Sequence, residues 1–496
     1  MIAEILLALL AIGALGLVLF GVWHIISRIR GKAGADDALS GLTGSVFFRS
    51  LVVAGITLLL LIPLAFVEEI VDERASFQRE AIGKIANLWG RPQTLAGPVL
   101  AVPYEVWRET RETTTNDDGK TISVPKRYRQ AGVKLFLPKK LHVLTVLRPK
   151  TLYQGIYEYV VYTSPLALSG EFALIPAAEF DEDVAVVHWN KAWLGMGVSD
   201  VKALSTEKRM TWNGREQETF SPGTDMKDVI GPGFHVAAPV DPDRATQSFL
   251  LTIALQGSGG IYFAPVAETT ALTVFSTWNA PSFAGNLSPR NRRIADNGFT
   301  ADWSIPNLSR TYPQVGDLGS RDFTGDGPTE SILSFTPGVN LYESVSLYRM
   351  TDRAVKYGVL FIGLTFIALF CFELSAGARL HFMQYGLVGV SMSLFYLVLL
   401  SLAEHAAFPL AFAAAGLISV LMNGLYIMAA MRSLPRGLTV MGLLAGLYTV
   451  LYALLKMEDY ALLMGTALVL IVLGVLMYLT RHLPVAGKPA ATRNTD

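Results

Sequence analysis

The chain has 496 residues, 51% hydrophobic and only 17% charged, with a mean hydropathy of +0.40, well on the apolar side of a soluble domain. Lys and Arg number 41 and Asp and Glu 41, so there is no basic excess to neutralise phosphates, and nucleic acid is excluded as a partner class. A single cysteine, Cys371, excludes an internal disulfide framework and multi-cysteine metal sites.

In chain order, residues 1–45 carry a first apolar run, Ile5–Ile26, long enough for a membrane-crossing helix. Glu4 precedes it and Arg28, Arg30 and Lys32 follow it, the reverse of a signal peptide's charged flank, so it reads as an uncleaved anchor. Residues 46–67 supply a second span, Leu51–Val67, with Pro63 near its far end, where a kink is cheaper than at the centre.

Residues 68–353 have the composition of a soluble domain, with 29 Lys and Arg against 33 Asp and Glu. Glu68–Leu88 places Ile70, Val71, Phe77, Ile82, Ile85 and Leu88 at roughly helical spacing and predicts a juxtamembrane amphipathic helix. From Gly97 the texture changes to β-rich runs: Pro98–Val106, Gly132–Leu137, Leu141–Leu147, Gly155–Tyr162, Leu166–Leu174, Ser248–Leu255, Ile261–Pro265 and Leu272–Thr277. Asn116-Asp117-Asp118-Gly119 is a hairpin-turn signal, because the Asp-Gly step supplies positive φ. An antiparallel, sandwich-like β domain is expected.

Residues 354–481 return to apolar runs at Tyr357–Leu374, Gln384–Leu402, Ala406–Met431, Leu438–Leu455 and Ala461–Thr480, a five-helix bundle that brings the expected spans to seven, with a tail at 482–496. The fold class is thus a mixed membrane protein with a large extracytoplasmic β-rich domain between helices 2 and 3. Cationic side chains mark the cytoplasmic connectors: Arg49, Arg379, Arg432 with Arg436, and Arg481, Lys488 and Arg493 in the tail. The acidic connectors Ala403–His405 and Lys456–Tyr460 then face outward, as do Met1 and residues 68–353. Gly386-Leu387, Tyr396, Leu399-Leu400, Glu404-His405 and Ala407 recur as Gly442-Leu443, Tyr452, Leu454-Leu455, Glu458-Asp459 and Ala461, the pattern of two stacked helical hairpins or of chance similarity in apolar sequence.

Thr351–Glu373 (TDRAVKYGVLFIGLTFIALFCFE), Leu380–His405 (LHFMQYGLVGVSMSLFYLVLLSLAEH) and Met422-Asn423-Gly424-Leu425-Tyr426 resemble the CreD family of bacterial inner-membrane proteins associated with cell-envelope integrity. Gly97–Tyr104 (GPVLAVPY) and the stretch around Gly155–Phe172 resemble that family's extracytoplasmic region. The resemblance covers about Val46 to Arg481. Residues before Val46 read as an extension, and Phe382 stands where the family often has Pro. The resemblance implies a multi-pass protein of the bacterial inner membrane with 68–353 in the periplasm; it implies no reaction.

Motifs that carry chemistry are absent: there is no G-x-S-x-G, no H-E-x-x-H, no G-x-x-x-x-G-K-[ST] and no Cys-His pair at metal spacing. No cofactor is expected. Gly257-Ser258-Gly259-Gly260 and Gly231-Pro232-Gly233 do not open helices, so turn or bulge use is expected. Asp322–Gly327 with Glu330 has calcium-loop residue types without the EF-hand order and reads as a polar loop. His142, His188 and His235 carry no surrounding motif, and Trp189, Trp193, Trp212, Trp278 and Trp303 read as core rather than as a lipid or glycan groove. Cys371 reads as an inert packing residue, and Gly442–Gly446 as a site of close helix packing.

The candidate functional cluster is Glu404, His405, Glu458 and Asp459 at the outer membrane face, able to bind a cation or relay protons if the hairpins stack; the plainer alternative is helix capping at the water boundary. Asn423 joins the candidates because an amide deep in a span needs a partner, with helix–helix hydrogen bonding preferred over transport. Three function classes remain. The first is a non-catalytic envelope-maintenance protein whose periplasmic domain meets envelope lipid, glycan or protein partners. The second is a transporter or lipid-handling protein using the boundary acids. The third is a membrane hydrolase, for which no nucleophile and base are displayed.

Overall fold

The computed structural model describes residues 46–456 apart from 116–120, 174, 177–178, 181–182, 322, 324–330, 342–346 and 377–379, together with scattered positions between 463 and 477. The expected spans Ile5–Ile26 and Ala461–Thr480, the Asn116–Gly119 turn, the Asp322–Glu330 loop, Glu458, Asp459 and the Cys371 side chain lie wholly or largely outside what is described. The chain divides into two compact units: Gln78–Ser344, and the residues on either side of it.

The helices are α1 (Val46–Leu59), α2 (Leu61–Trp89), the single-turn α3 (Lys227–Ile230), α4 (Leu347–Ala376), α5 (Phe382–Ala403), α6 (Phe408–Ala430) and α7 (Leu434–Lys456). Among the described residues five segments are long and apolar enough to cross a membrane: Ser50–Trp89, Leu347–Phe370, Phe382–Ala403, Phe408–Ala430 and Leu434–Lys456. Each overlaps an expected span, with Leu347–Phe370 starting ahead of the expected Tyr357–Leu374 and Ser50–Trp89 running on past Val67. The break between α1 and α2 falls at Leu60, three residues before Pro63, which has no N–H for the Leu59 carbonyl and crowds it. Beyond Pro63 the helix continues through the predicted amphipathic stretch to Trp89.

Within the apolar unit, α4 packs on α5 and α7, α5 on α6, and α6 on α7, closing a four-helix ring, while α1 lies against α4 and α5. Small residues set the close approaches. A Cβ on Gly389 would collide with Leu60 and come 2.8 Å from the Phe366 ring, and one on Gly437 would lie 3.0 Å from the Gly424 carbonyl oxygen. Among the described residues a Cβ at Gly442 or Gly446 meets nothing within 4 Å, so the close packing expected at Gly442–Gly446 is not made with α4, α5 or α6. The buried stripe of α7 runs through Val440, Leu444, Tyr448 and Leu451, so residues two positions out of that four-residue step point away from the bundle.

The β unit holds eighteen strands among the described residues: β1 (Gln93–Thr115), β2 (Thr121–Phe136), β3 (Lys140–Gln154), β4 (Tyr157–Ala173), β5 (Val184–Val187), β6 (Trp193–Val198), β7 (Leu204–Trp212), β8 (Arg215–Gln217), β9 (Phe220–Pro222), β10 (Gly233–Ala237), β11 (Thr246–Ser258), β12 (Gly260–Ala264), β13 (Thr269–Ser276), β14 (Ser282–Ala284), β15 (Asn291–Ala295), β16 (Gly298–Pro306), β17 (Val315–Asp317) and β18 (Gly338–Asn340). One sheet runs β14-β18-β12-β1-β6-β10-β9, with β2 and β5 also on β1 and β17 on β2; the other runs β15-β16-β13-β3-β4-β11-β7-β8. A single core joins them, with Leu100, Val102 and Met196 from the first sheet and Val143, Leu168, Leu251 and Val274 from the second.

The architecture is sandwich-like but not purely antiparallel, since β1 pairs with β12 and β13 with β3 in parallel. Partners separated by more than a hundred residues leave no local signal such as a hairpin turn. The expected strands Gly155–Tyr162 and Leu166–Leu174 are one strand, β4. Its ladder with β3 keeps register but skips from Thr145↔Leu166 to Arg148↔Thr163, because Pro165 has no N–H to give. Thr145 and Ser164 bond side chain to side chain in the gap.

Candidate functional site

The polar residues of the apolar unit fall into three groups. Glu404 is the C-cap of α5, a position where a carboxylate opposes the helix dipole. The capping alternative therefore fails for it: α6 begins at an N-cap alanine, Ala407, without a side-chain cap. Its side chain is only 7% exposed, with Arg74 Nε of α2 at 3.6 Å and the Tyr348 hydroxyl of α4 donating to Oε1 at 2.9 Å. Three helices thus converge on one nearly buried carboxylate, with a guanidinium offsetting its charge. His405 is exposed, and the cation on Glu404 is Arg74.

Asn423 lies fifteen residues into α6, about 22 Å along the axis from its start, so it forms a second site remote from Glu404 and His405. It is 2% exposed. Its Nδ2 donates to Ser391 Oγ of α5 at 2.9 Å and to the Ser419 carbonyl one turn back at 2.9 Å. Ser419 Oγ in turn lies 2.8 Å from the Tyr448 hydroxyl of α7. The amide is the centre of a network tying α5, α6 and α7 together, the hydrogen-bonded use that depth in a span demands.

Glu373, 4% exposed, accepts the Tyr385 hydroxyl at 2.9 Å, joining α4 to α5. Sequence reasoning passed over it because it closes an apolar run where a boundary acid is ordinary. Arg74, Tyr348 and Tyr385 gave no signal either, since their significance lies in contacts between helices distant in sequence.

In the β unit, the Nε2–H of His188 donates to Glu105 Oε1 at 3.0 Å and Arg129 Nη1 lies 3.3 Å from Oε2. The bond from His188, aided by that of Arg129, holds the Glu105 carboxyl below the usual carboxylate range. His235 donates Nδ1–H to the Gly223 carbonyl at 2.7 Å, and His142 is exposed on β3. Trp212 and Trp303 belong to the core, with Trp189, Trp193 and Trp278 packed against it. Gly231 and Gly259 have φ of 76° and 69°, left-handed turn geometry rather than a phosphate cradle at a long helix. Burial pushes the Tyr312 phenol up to about 12 and that of Tyr162, bonded to the Gly260 carbonyl, well above its ordinary value. Among the described residues no group of three or more His, Cys, Asp and Glu side chains is placed to hold a metal ion.

This architecture, an apolar helical ring in a chain that also carries a two-sheet β unit, agrees with what comparison with known proteins finds. A family described as "Inner membrane protein CreD" matches residues 45–485. The chain is 31% identical over 448 residues to Inner membrane protein CreD of Escherichia coli (strain K12), an alignment covering 89% of this chain and 94% of that protein. The match begins at residue 45, leaving the first apolar run outside it. On the length of this match, the chain belongs to the CreD family and is a multi-pass inner membrane protein.

Proposed function

We propose that this protein is a non-catalytic component of the inner membrane that supports cell-envelope integrity through a β-rich domain in the periplasm. In this reading the chain crosses the membrane seven times, residues 68–353 lie between spans 2 and 3, and the connectors bearing Arg379, Arg432 and Arg436 face the cytoplasm. One observation carries it: a β unit with its own continuous core stands in the chain between α2 and α4 of an inner membrane protein, the arrangement of a binding or sensing domain held at a membrane. Its chemistry would be recognition rather than bond making.

The test is complementation. A bacterial strain lacking its own family member should regain tolerance of envelope stress when given the full chain and not when given a chain lacking 90–341 at matched membrane abundance. Equal rescue by both would refute a role for the β unit.

The second reading, transport or lipid handling at the outer face, is favoured by the nearly buried carboxylate of Glu404 at the convergence of α2, α4 and α5. Glu404→Gln, His405→Ala and Glu458→Gln separate the two readings. Loss of tolerance at normal abundance supports transport, and full tolerance in all three retires the cluster.

A further inference from the structure

The two sheets of the β unit part along one side. β7 of the second sheet faces β9 and β10 of the first across a groove of about 840 Å³, within the roughly 300–1,000 Å³ range of small-ligand sites. Its apolar lining is Val201, Leu204, Phe220, Pro222, Pro232 and Phe234. Phe220 stacks edge-to-face on Phe234 at 5.6 Å and remains half-buried, and Val201 keeps 42% of its surface exposed. Apolar side chains left open along a cleft between sheets call for an apolar occupant.

The polar lining has both signs. Lys208 and Lys227 stand with Asp225 and Asp228, and among the described residues no ion pair joins either lysine to either aspartate. Asp225, at φ 57°, has its carboxylate 3.7 Å from His235 Nδ1, the same nitrogen that bonds the Gly223 carbonyl at 2.7 Å, and its other oxygen is left for a ligand amine. The loop that carries it is therefore held in shape.

We infer that this groove binds a zwitterionic amphiphile, an acyl chain lying along Val201, Leu204 and Phe220 with a phosphate on Lys208 and Lys227 and a primary amine on Asp225 and Asp228. A lone phosphate would leave the aspartates opposed to it, and a lone amine would leave the lysines so. An extended peptide added to the sheet edge fits less well, because β9 has three residues and one is Pro222, which has no N–H to pair. The inference deepens the binding role proposed for the β unit. It is tested on the purified chain, so its failure is distinct from a failure of complementation in cells.

The experiment uses the full chain in maltoside micelles with a lysophosphatidylethanolamine carrying a diazirine in its acyl chain, photolysed and mapped by mass spectrometry. Cross-links are expected in peptides spanning 201–234. Lys208→Glu with Lys227→Glu should cut them about tenfold, the loss expected for charge-assisted bonds, while cross-links on α5 and α6 stay unchanged and serve as the internal control. The same lipid with a phosphoglycerol head, lacking the amine, should label the groove about tenfold less, and Asp225→Asn with Asp228→Asn should remove that preference. Absence of groove cross-links, or their persistence in the lysine variant, would overturn the site. Equal labelling by the phosphoglycerol lipid would overturn the zwitterion, and equal competition by soluble phosphoethanolamine would overturn the acyl chain.

Discussion

The Tyr348 hydroxyl donates to Glu404 Oε1 at 2.9 Å, joining the first turn of α4 to the C-cap of α5 across 56 residues of sequence. With Arg74 Nε at 3.6 Å on the same carboxylate oxygen, this bond fixes one end of the helical ring.

Tyr348→Phe removes one donor from a nearly buried carboxylate and should destabilise the chain by about 1.5–3 kcal/mol, the range for hydrogen bonds to charged groups. Arg74→Gln, removing the charge opposite Glu404, should act in the same direction. Unfolding in mixed micelles with increasing dodecyl sulfate measures both, and a Tyr348→Phe chain as stable as the parent would show that the bond contributes nothing.

Asn423→Ala should cost roughly 0.6–2 kcal/mol, as expected for a hydrogen bond between helices in a membrane. A cycle with Ser391→Ala isolates the pair, since Asn423 Nδ2 donates to Ser391 Oγ at 2.9 Å. Additive losses would mean that the two side chains are not coupled.

Gly389→Leu should prevent assembly of α5 against Leu60 and Phe366, where a Cβ already collides. Gly442→Ala and Gly446→Ala meet nothing within 4 Å among the described residues and should be neutral or stabilise by up to about 1 kcal/mol through helix propensity. The contrast is read from yield and thermal stability of the solubilised protein.

The β unit should lose stability at both extremes of pH. At the alkaline end, the unfolded chain gives up the Tyr312 proton near pH 10 and the folded chain only near about 12. Between those values the unfolded state binds fewer protons, so stability falls as pH rises, by up to about 1.4 kcal/mol per pH unit for that group; Tyr162 acts in the same direction. At the acid end, Glu105 is depressed by His188 and Arg129, so its stabilising effect is present above the ordinary carboxylate range and is lost as pH falls through its lowered value. Denaturant midpoints against pH for Tyr312→Phe and Glu105→Gln should flatten the alkaline and acid arms respectively.

How much of this was legible in the sequence follows from the range of each interaction. The strand at Leu141–Leu147 was visible as an apolar, β-rich run, but its buried face was not, since Leu144 and Val146 point outward while Thr145 is buried with Val143 and Leu147. The span Phe408–Ala430 was equally plain from its length and apolarity. The parallel neighbours of β1 and β3 were not, since nothing local records a partner more than a hundred residues away. The same holds for the candidate site. Glu404 and Asn423 stand out as polar residues in apolar company, but Arg74, Tyr348, Ser391 and Tyr448 acquire meaning only when the helices carrying them are packed. Gly442 and Gly446 show the converse: a small-residue spacing that suggests close packing lies off the stripe that α7 buries among the described residues.

The central claim is that the β unit faces the periplasm while the α6–α7 connector faces the cytoplasm, and accessibility of single cysteines tests it most directly. In a Cys371→Ser background, Lys150→Cys on the exposed side of β3 and Ser433→Cys in the α6–α7 connector would be treated, in cells with a permeabilised outer membrane, with a maleimide that cannot cross the inner membrane. Labelling of Lys150→Cys in intact cells, with Ser433→Cys labelled only after the inner membrane is broken, is the predicted result; the opposite pattern would contradict the proposed orientation and with it a periplasmic role for the β unit.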